Sequence, residues 1–256
     1  MNRAVPGLVQ RGNLPLIVPD WPAPSSVHAA ATTRLGGVSA GAYAGLNLGD
    51  HVGDDPAAVT ANRMHLTKAL ALPAAPYWLR QVHGTRVVRA ACDESPPIEA
   101  DGSWTDEAGV VCVVGTADCL PVLFCDAAGT RVAAAHAGWR GLAAGVLEAT
   151  VATLEAAPDR LLAWIGPAIG AAAFEVGPEV REAFLDVDRS AETAFRRGPG
   201  DRWRADLAQL ARLRLHRCGV NRVWGGHWCT AGDPARFYSY RRDGVTGRMA
   251  TLIWRD

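Results

Sequence analysis

The sequence has little of several features that mark large classes of proteins. It carries no excess charge, because its 26 basic and 26 acidic residues balance to a formal net charge of zero. A nucleic-acid-binding protein normally presents a basic face, so this balance argues against that class. No stretch approaches the roughly 18 apolar residues that a membrane-spanning helix needs. We therefore expect neither a nucleic-acid partner nor membrane insertion.

Two further absences concern the cellular compartment. Residues 1–7 lack the uninterrupted apolar stretch of a secretory signal peptide. The six cysteines show no compact paired spacing, and Cys112 and Cys125 lie in apolar, strand-like runs. Disulfides are rare in reducing compartments, where such cysteines stay free. We expect a cytoplasmic protein whose cysteines are mostly free thiols.

Lysine is almost missing, since Lys68 is its only occurrence. A coding bias towards arginine explains this, and a need for planar, bidentate phosphate donors can apply only to particular arginines. Internal repeats and linker-like stretches are also missing from the 256 residues, of which 49% are apolar. One large domain can bury a core of that size. We expect a single domain over residues 1–256 and a monomer.

What the sequence contains is an alternation of apolar runs and helical patterns, typical of a mixed α+β fold. A helix is predicted from Pro56 to Leu70, because aspartate caps and Pro56 open it. We predict the remaining helices at Leu142–Leu154, Pro178–Leu185 and Arg204–Arg217. We predict polar connections at Cys92–Asp106 and Asp186–Arg204. We predict strands at Val27–Thr32, Tyr77–Leu79, Arg86–Ala91, Val110–Gly115, Pro121–Cys125, Arg131–Ala135, Leu161–Pro167, Arg222–Trp224 and Met249–Trp254.

Three ligating side chains occur where predicted strands end or meet glycine-rich turns: His83, Cys119 and His136. Antiparallel pairing across the turn at Asp126–Gly129 would bring His136 near Cys119. Two imidazoles and a thiolate suit zinc or copper, and three protein ligands leave an open, catalytic position. The same residues would serve as a cysteine nucleophile with a histidine base. Ordinary core packing is the third interpretation, and spacing alone leaves all three open.

Arginines near these motifs are candidates for anion binding. Arg140 lies at the start of a predicted helix beside His136, a position that favours an anion. Arg34, in a glycine-rich loop, is a second candidate. The C-terminal segment contains three more, Arg241, Arg242 and Arg248. Surface arginines in turns are the alternative. The aromatic residues Trp139, Phe237, Tyr238 and Tyr240 either stack on a planar ligand or pack in the core.

An ordered series of motifs extends from about residue 27 to the C-terminus. It comprises Thr32-Thr-Arg-Leu-Gly-Gly-Val-Ser, Leu46-Asn-Leu-Gly, Gln81-Val-His-Gly, Ala100-Asp-Gly, Thr116-Ala-Asp-Cys-Leu-Pro-Val, His136-Ala-Gly-Trp-Arg-Gly, Ile165-Gly-Pro-Ala-Ile-Gly and Phe237-Tyr-Ser-Tyr-Arg-Arg-Asp-Gly-Val-Thr-Gly-Arg. In this order the motifs resemble the YfiH family. Members of this family are described under several names: polyphenol oxidase or laccase-domain proteins, purine nucleoside phosphorylases and peptidoglycan editing factors.

The resemblance implies a fold, a metal and an activity. The implied fold is a sandwich of mixed β-sheets flanked by helices, likened to cysteine-hydrolase toxin domains. The implied metal is zinc, with copper possible, and the implied reactions are phosphorolysis of adenosine, inosine and S-methyl-5′-thioadenosine and deamination of adenosine. Metal ligands would be His83, Cys119 and His136. Catalytic residues would be Cys119, His136 and Asp118, and substrate-binding residues Arg34, Asn47, Arg140 and Arg248.

Other functions remain open beside this one. Asp118 either orients a ligand or caps a turn. A laccase-like copper oxidase is physically weaker, because only two of the seven histidines lie in the ligand motifs. A hydrolase with Cys119 as nucleophile and His136 as base, acting on a cell-wall precursor, is the further alternative. A non-catalytic sensor of such precursors is the last.

Overall fold

The computed structural model describes residues 7–91 and 97–256. The start examined for a signal peptide (1–6) and part of the predicted connection (92–96) lie outside the described residues. The strands are β1 (Leu8–Arg11), β2 (Leu14–Ile17), β3 (Val27–Thr32), β4 (Leu79–Arg80), β5 (Val87–Arg89), β6 (Ile98–Glu99), β7 (Gly102–Thr105), β8 (Cys112–Thr116), β9 (Leu120–Asp126), β10 (Val132–Ala137), β11 (Leu161–Ile165), β12 (Glu175–Val176), β13 (Phe195–Arg197), β14 (Trp203–Ala205), β15 (Arg222–Gly225) and β16 (Met249–Arg255). The helices are α1 (Pro56–Leu70), α2 (Trp139–Ala144), α3 (Val146–Thr153), α4 (Pro178–Leu185), α5 (Leu207–Arg217) and α6 (Tyr240–Asp243).

Two large sheets form the framework. The five-stranded sheet, in the order β1-β2-β3-β16-β8, is antiparallel throughout. The six-stranded sheet, in the order β15-β11-β9-β10-β7-β5, is mixed, because its two outer pairs are parallel. β12, β14 and β13 form a small third sheet, and β4 pairs with β6. The chain passes from one large sheet to the other between β8 and β9.

Alternation of side chains shows that both faces of each large sheet are buried. In β9, Leu123 and Cys125 face the five-stranded sheet, whereas Val122 and Phe124 pack against a core that includes residues of α3, α4 and α5. The outer face of the five-stranded sheet packs on α1 through Leu66. Strands buried on both faces read as continuous apolar runs, which is why β9 was recognisable in the sequence. The expected α+β sandwich of mixed sheets flanked by helices is confirmed.

Helix α1 has the predicted bounds, and the Asp55 side chain accepts a hydrogen bond from the N–H of Ala57. The single helix predicted over Leu142–Leu154 is wrong. Gly145 has φ 105° and divides it into α2 and α3, because this left-handed conformation ends one helix and begins the next. The helix predicted from Arg204 begins at Leu207, because Asp206 caps it through the N–H of Gln209.

Two predicted connections contain regular structure. Within the described part of 92–106, β6 and β7 add strands to two sheets. The segment 186–204 contains a 3₁₀ helix at Arg189–Ala194, β13 and the start of β14, so the prediction of a loop is wrong. The strands in both segments are short, and β6 and β13 lie at sheet edges, where polar residues are common. In the described ranges, no helix is long and apolar enough to cross a membrane.

Candidate metal centre and its cavity

Cys119 lies where the chain crosses between the two large sheets. β8 ends at Thr116 and β9 begins at Leu120, so the crossing consists of three residues. β10 runs antiparallel to β9 and pairs His136 with Pro121. The predicted approach of His136 to Cys119 is therefore a direct result of strand register.

His83 comes from a separate turn between β4 and β5. The Gln81 side chain fixes this turn to β8, since its oxygen accepts the N–H of Gly115 at 2.7 Å and its amide donates to the Gly115 carbonyl at 2.9 Å. His83 itself has φ 61°, a left-handed conformation that few non-glycine residues adopt. The turn thus holds the imidazole over the crossing that carries Cys119.

The three side chains meet at one point. Sγ of Cys119 lies 3.6 Å from Nε2 of His83, and the two imidazole centroids are 4.8 Å apart. One ligand atom from each of the three residues lies within 4.8 Å of the others. Tetrahedral zinc with ordinary Zn–S and Zn–N bonds separates such atoms by about 3.5 Å, so the donor set and the 3.6 Å separation of Cys119 from His83 fit zinc. His136 is buried and His83 exposed, so the site opens towards solvent on one side.

Gly138 makes this convergence possible. A Cβ atom at position 138 would lie 2.6 Å from Cδ2 of His83 and 3.1 Å from Sγ of Cys119. At Gly141, a Cβ would lie 2.8 Å from the Gly84 carbonyl, so α2 also packs closely on the His83 turn. Gly138 is therefore required where the His83 and Cys119 side chains converge, and Gly141 where α2 approaches the backbone of the His83 turn.

Asp101 is the functional residue that sequence reasoning missed. It is fully buried, and its Oδ1 accepts hydrogen bonds from Nδ1 of His136 at 2.8 Å and from the backbone N–H of His83 at 2.9 Å. Its Oδ2 accepts the N–H groups of Val82 and Gly84. Burial would raise the pKa of Asp101, but the hydrogen bonds from His136 and Gly84 lower it below its usual value. The Ala-Asp-Gly motif was its only trace in the sequence.

Electrostatics favour a charged pair at the centre. Burial would raise the pKa of the Cys119 thiol, but the charge and hydrogen bond of His136, aided by His83, lower it to about 6. Burial would lower the pKa of His136, but the Cys119 thiolate and the hydrogen bond to Asp101 raise it to about 9. A thiolate is the form of cysteine that ligates metals or attacks carbon. The geometry therefore suits either role.

Asp118 ties the crossing to the C-terminal segment. Its Oδ1 accepts the hydroxyl of Thr230 at 2.5 Å, and its Oδ2 accepts the Ser239 hydroxyl at 2.9 Å and the Arg241 N–H at 2.7 Å. Asp118 has φ 94°, an unusual backbone conformation that these bonds stabilise. Both carboxylate oxygens are engaged, which matches the turn-holding alternative from the sequence.

The centre lines a cavity of about 540 Å³. Three arginines, Arg140, Arg241 and Arg248, border it, whereas Asp118 is its only carboxylate among the described residues. Arg140 contacts the Trp139 ring at 4.5 Å, and Nη1 of Arg248 donates only to the Thr246 and Gly247 carbonyls. Burial lowers the pKa of Arg248, against the opposing charges of Cys119 and Asp118. The cavity is consequently suited to an anion.

Two of the predicted substrate-binding residues do not line this cavity. Arg34 donates to the Pro234 and Ala44 carbonyls and lies over the Tyr238 ring at 4.6 Å. Asn47 is fully buried, and its Oδ1 accepts the N–H groups of Gly49 and Arg248. Its amide donates to the Gly49 carbonyl and the Asp54 carboxylate, so Asn47 reaches the cavity only through the backbone of Arg248.

The aromatic candidates divide in the same way. Trp139 and Tyr240 line the cavity, together with Phe174, which sequence reasoning did not single out. Phe237 and Tyr238 are fully buried in the core between the sheets. His51 also borders the cavity.

Comparisons with known proteins agree with this architecture. A family model described as multi-copper polyphenol oxidoreductase laccase matches residues 28–256. The purine nucleoside phosphorylase PA4543 of Pseudomonas aeruginosa is 58% identical over 240 residues, which cover 93% of this chain and 97% of that protein. The purine nucleoside phosphorylase YfiH of Escherichia coli K12 is 55% identical over 239 residues, which cover 93% and 98%.

Solved structures give the same result. NMB0706 of Neisseria meningitidis superposes with a TM-score of 0.91 at 53% identity, covering 94% of this chain and 99% of that chain. YlmD of Geobacillus stearothermophilus superposes with a TM-score of 0.87 at 33% identity, covering 97% and 98%. The chain therefore belongs to the YfiH family, the family whose model carries the description multi-copper polyphenol oxidoreductase laccase.

Proposed function

We propose that this chain is a zinc-dependent purine nucleoside phosphorylase that accepts adenosine, inosine and S-methyl-5′-thioadenosine and also deaminates adenosine. The observation that carries the proposal is one cavity in which a His-Cys-His group meets three arginines, with Asp118 as the one carboxylate among the described lining residues. The relatives named purine nucleoside phosphorylase support the reaction class. Copper is the alternative metal.

Different residues of the cavity bind the phosphate and the purine during phosphorolysis. Arg248 and Arg140 bind hydrogen phosphate, and Trp139, Phe174 and Tyr240 flank the planar purine. A phosphate oxygen bonds to C1′ of the ribose while the C1′–N9 bond breaks and its electron pair leaves with the base. The base takes up the proton of hydrogen phosphate, which gives free purine and ribose 1-phosphate. Zinc held by His83, Cys119 and His136 would supply Lewis-acid chemistry at its open position.

Chromatography of reaction mixtures tests the proposal. Purified protein is incubated with adenosine or inosine, with and without phosphate, and we expect phosphate-dependent release of adenine or hypoxanthine. Deamination appears as inosine formed from adenosine without phosphate. Cys119→Ala should abolish both products, whereas Cys218→Ala, outside the cavity, should retain them. Absence of any free base from the wild-type protein at high concentration would rule out the phosphorylase.

A cysteine hydrolase is the second candidate, because Asp101, His136 and Cys119 form a continuous chain of contacts with a lowered thiol pKa. Such a chain is the arrangement of a base-activated nucleophile. Metal analysis of protein purified without added metal separates the two. One zinc per chain contradicts a free nucleophile, and metal-free protein with amidase activity contradicts the phosphorylase.

The copper oxidase has less support. The described residues contain one group of three potential His, Cys or acidic ligands, whereas electron transfer from phenols to oxygen ordinarily uses several coppers. The described cysteines are free thiols, which favours a reducing compartment, and we propose a cytoplasmic location. The monomeric state stays a prediction, which sedimentation velocity would test.

A further inference from the structure

Beside the cavity at the metal centre lies a second chamber, also of about 540 Å³. The two spaces share the same dividing residues, His51, Gln81, Gly115 and Arg248. The walls of this side chamber beyond them are largely apolar and include Leu48, Trp78, Leu79 and Pro97. Together the spaces exceed what a nucleoside and a phosphate need, since a pocket of a few hundred Å³ holds a small ligand.

Apart from Arg248 on its border, the charged residues that the structure describes in the side chamber are already paired. Arg63 lies over the Trp78 ring at 4.0 Å, donates to the Leu48 carbonyl and pairs with Asp50 at 3.2 Å. Arg80 pairs with Glu99 at 3.2 Å. A charged ligand would have to break one of these pairs, whereas an apolar group would gain from burial against Leu79 and the indole. The lining therefore selects a neutral, apolar group.

We propose that the side chamber is a second subsite, which binds an apolar substituent larger than a methylthio group on the 5′ carbon of a purine nucleoside. This inference rests on the proposed function. Arg248, the proposed phosphate ligand, stands on the border of both spaces, so the attacked ribose C1′ lies beside it. The base lies against Trp139, Phe174 and Tyr240, on the far side of the border. The opposite edge of the ribose, with its 5′ carbon, then faces the side chamber.

Calorimetric titration in phosphate-free buffer tests the subsite with inosine and 5′-deoxy-5′-phenylthioinosine, which the protein can neither deaminate nor phosphorolyse there. The phenylthio compound should bind the zinc-loaded wild type about tenfold more tightly than inosine, because its ring leaves water. Leu79→Trp fills the chamber and should reverse this preference. Leu79→Ala removes an apolar wall and should weaken the preference for the phenylthio compound. This second variant keeps the test valid if tryptophan at position 79 prevents folding. Val187→Trp, at a residue that lines neither space, should retain the wild-type preference.

Equal binding of the two nucleosides to wild type, or an unchanged preference in both Leu79 variants, would overturn the subsite. Phosphorolysis of inosine combined with equal binding would reject the subsite and leave the phosphorylase standing. A tenfold preference without any phosphorolysis would reject the phosphorylase and leave a nucleoside subsite. If neither nucleoside binds, both the apolar subsite and the phosphorylase activity are rejected.

Discussion

Asp101 and His136 are joined twice. The His136 ring donates from Nδ1 to the Asp101 carboxylate at 2.8 Å, and its backbone N–H donates to the Asp101 carbonyl at 2.7 Å. The first bond leaves Nε2 of His136 facing Cys119, and the remaining carboxylate bonds hold the turn of His83. One buried carboxylate thereby aligns both histidines of the centre.

Replacing Asp101 by asparagine should lower zinc affinity about 10- to 100-fold, the usual effect of losing an outer-shell partner. The asparagine amide would place N–H groups against the N–H groups of Val82 and Gly84, so the His83 turn shifts. Competition with a chromophoric chelator measures the affinity, and the visible spectrum of the cobalt-substituted protein reports the ligand geometry. Asp106→Asn, in an exposed pair with Arg89, is the control and should leave both unchanged. An unaltered affinity in Asp101→Asn would remove Asp101 from the centre.

Gly138→Ala should weaken metal binding by about tenfold or more, on the scale of a misplaced ligand. The added methyl would lie 2.6 Å from the His83 ring, closer than van der Waals contact allows, and 3.1 Å from Sγ of Cys119, so two ligand side chains would have to shift. Equilibrium dialysis with zinc measures the effect. Gly232→Ala is the matched control, because its nearest contact would be Cys229 Sγ at 3.3 Å. Normal zinc content in Gly138→Ala would show that the turns can separate without loss of the site.

The main strands and the approach of His136 to Cys119 could be predicted from the sequence, because β9 and β10 are long apolar runs joined by a short turn. Asp101 could not be predicted in the same way, since its segment is polar and β7 acquires its place only by pairing with β10 and β5. The break at Gly145 was equally hidden, because α2 and α3 share apolar spacing and only the left-handed φ separates them. Segments far apart in the sequence form the centre, so local patterns could name its three ligating residues but not the buried carboxylate that binds His136 and the His83 turn.

Arg248→Ala should raise the KM for phosphate about 10- to 100-fold, since a charge-assisted contact to the anion is lost. Adenosine deamination, which uses no phosphate, should change far less. Initial rates at varied phosphate and fixed inosine give the KM, and the deamination rate reports the integrity of the site. Arg202→Ala, an exposed arginine beside Asp201 and outside the cavity, should match wild type in both. An equal loss of the two reactions would place Arg248 in the support of the metal centre instead of in phosphate binding.

Thiol alkylation tests the charge state of the centre in metal-free protein. The pKa of Cys119 is lowered to about 6, whereas burial raises the pKa of Cys112 and of Cys125 to about 12. Only the thiolate reacts with iodoacetamide, so the rate at Cys119 should rise with pH through about 6 and then level off, well below the ordinary cysteine range. Peptide mass spectrometry after short labelling at each pH measures this.

Zinc decides between the two roles of Cys119 in the same experiment. One equivalent of zinc should protect Cys119 at every pH on the plateau, because coordination withdraws electron density from the sulfur and lowers its reactivity towards the alkylating agent. His136→Ala removes the positive partner that lowers the thiol pKa, so its labelling curve should move to higher pH. Cys218 provides the internal control, because its pKa is raised and zinc has no ligand partner for it in the cavity. Labelling of Cys119 that persists with bound zinc would show that the thiolate is not a ligand and would favour the nucleophile.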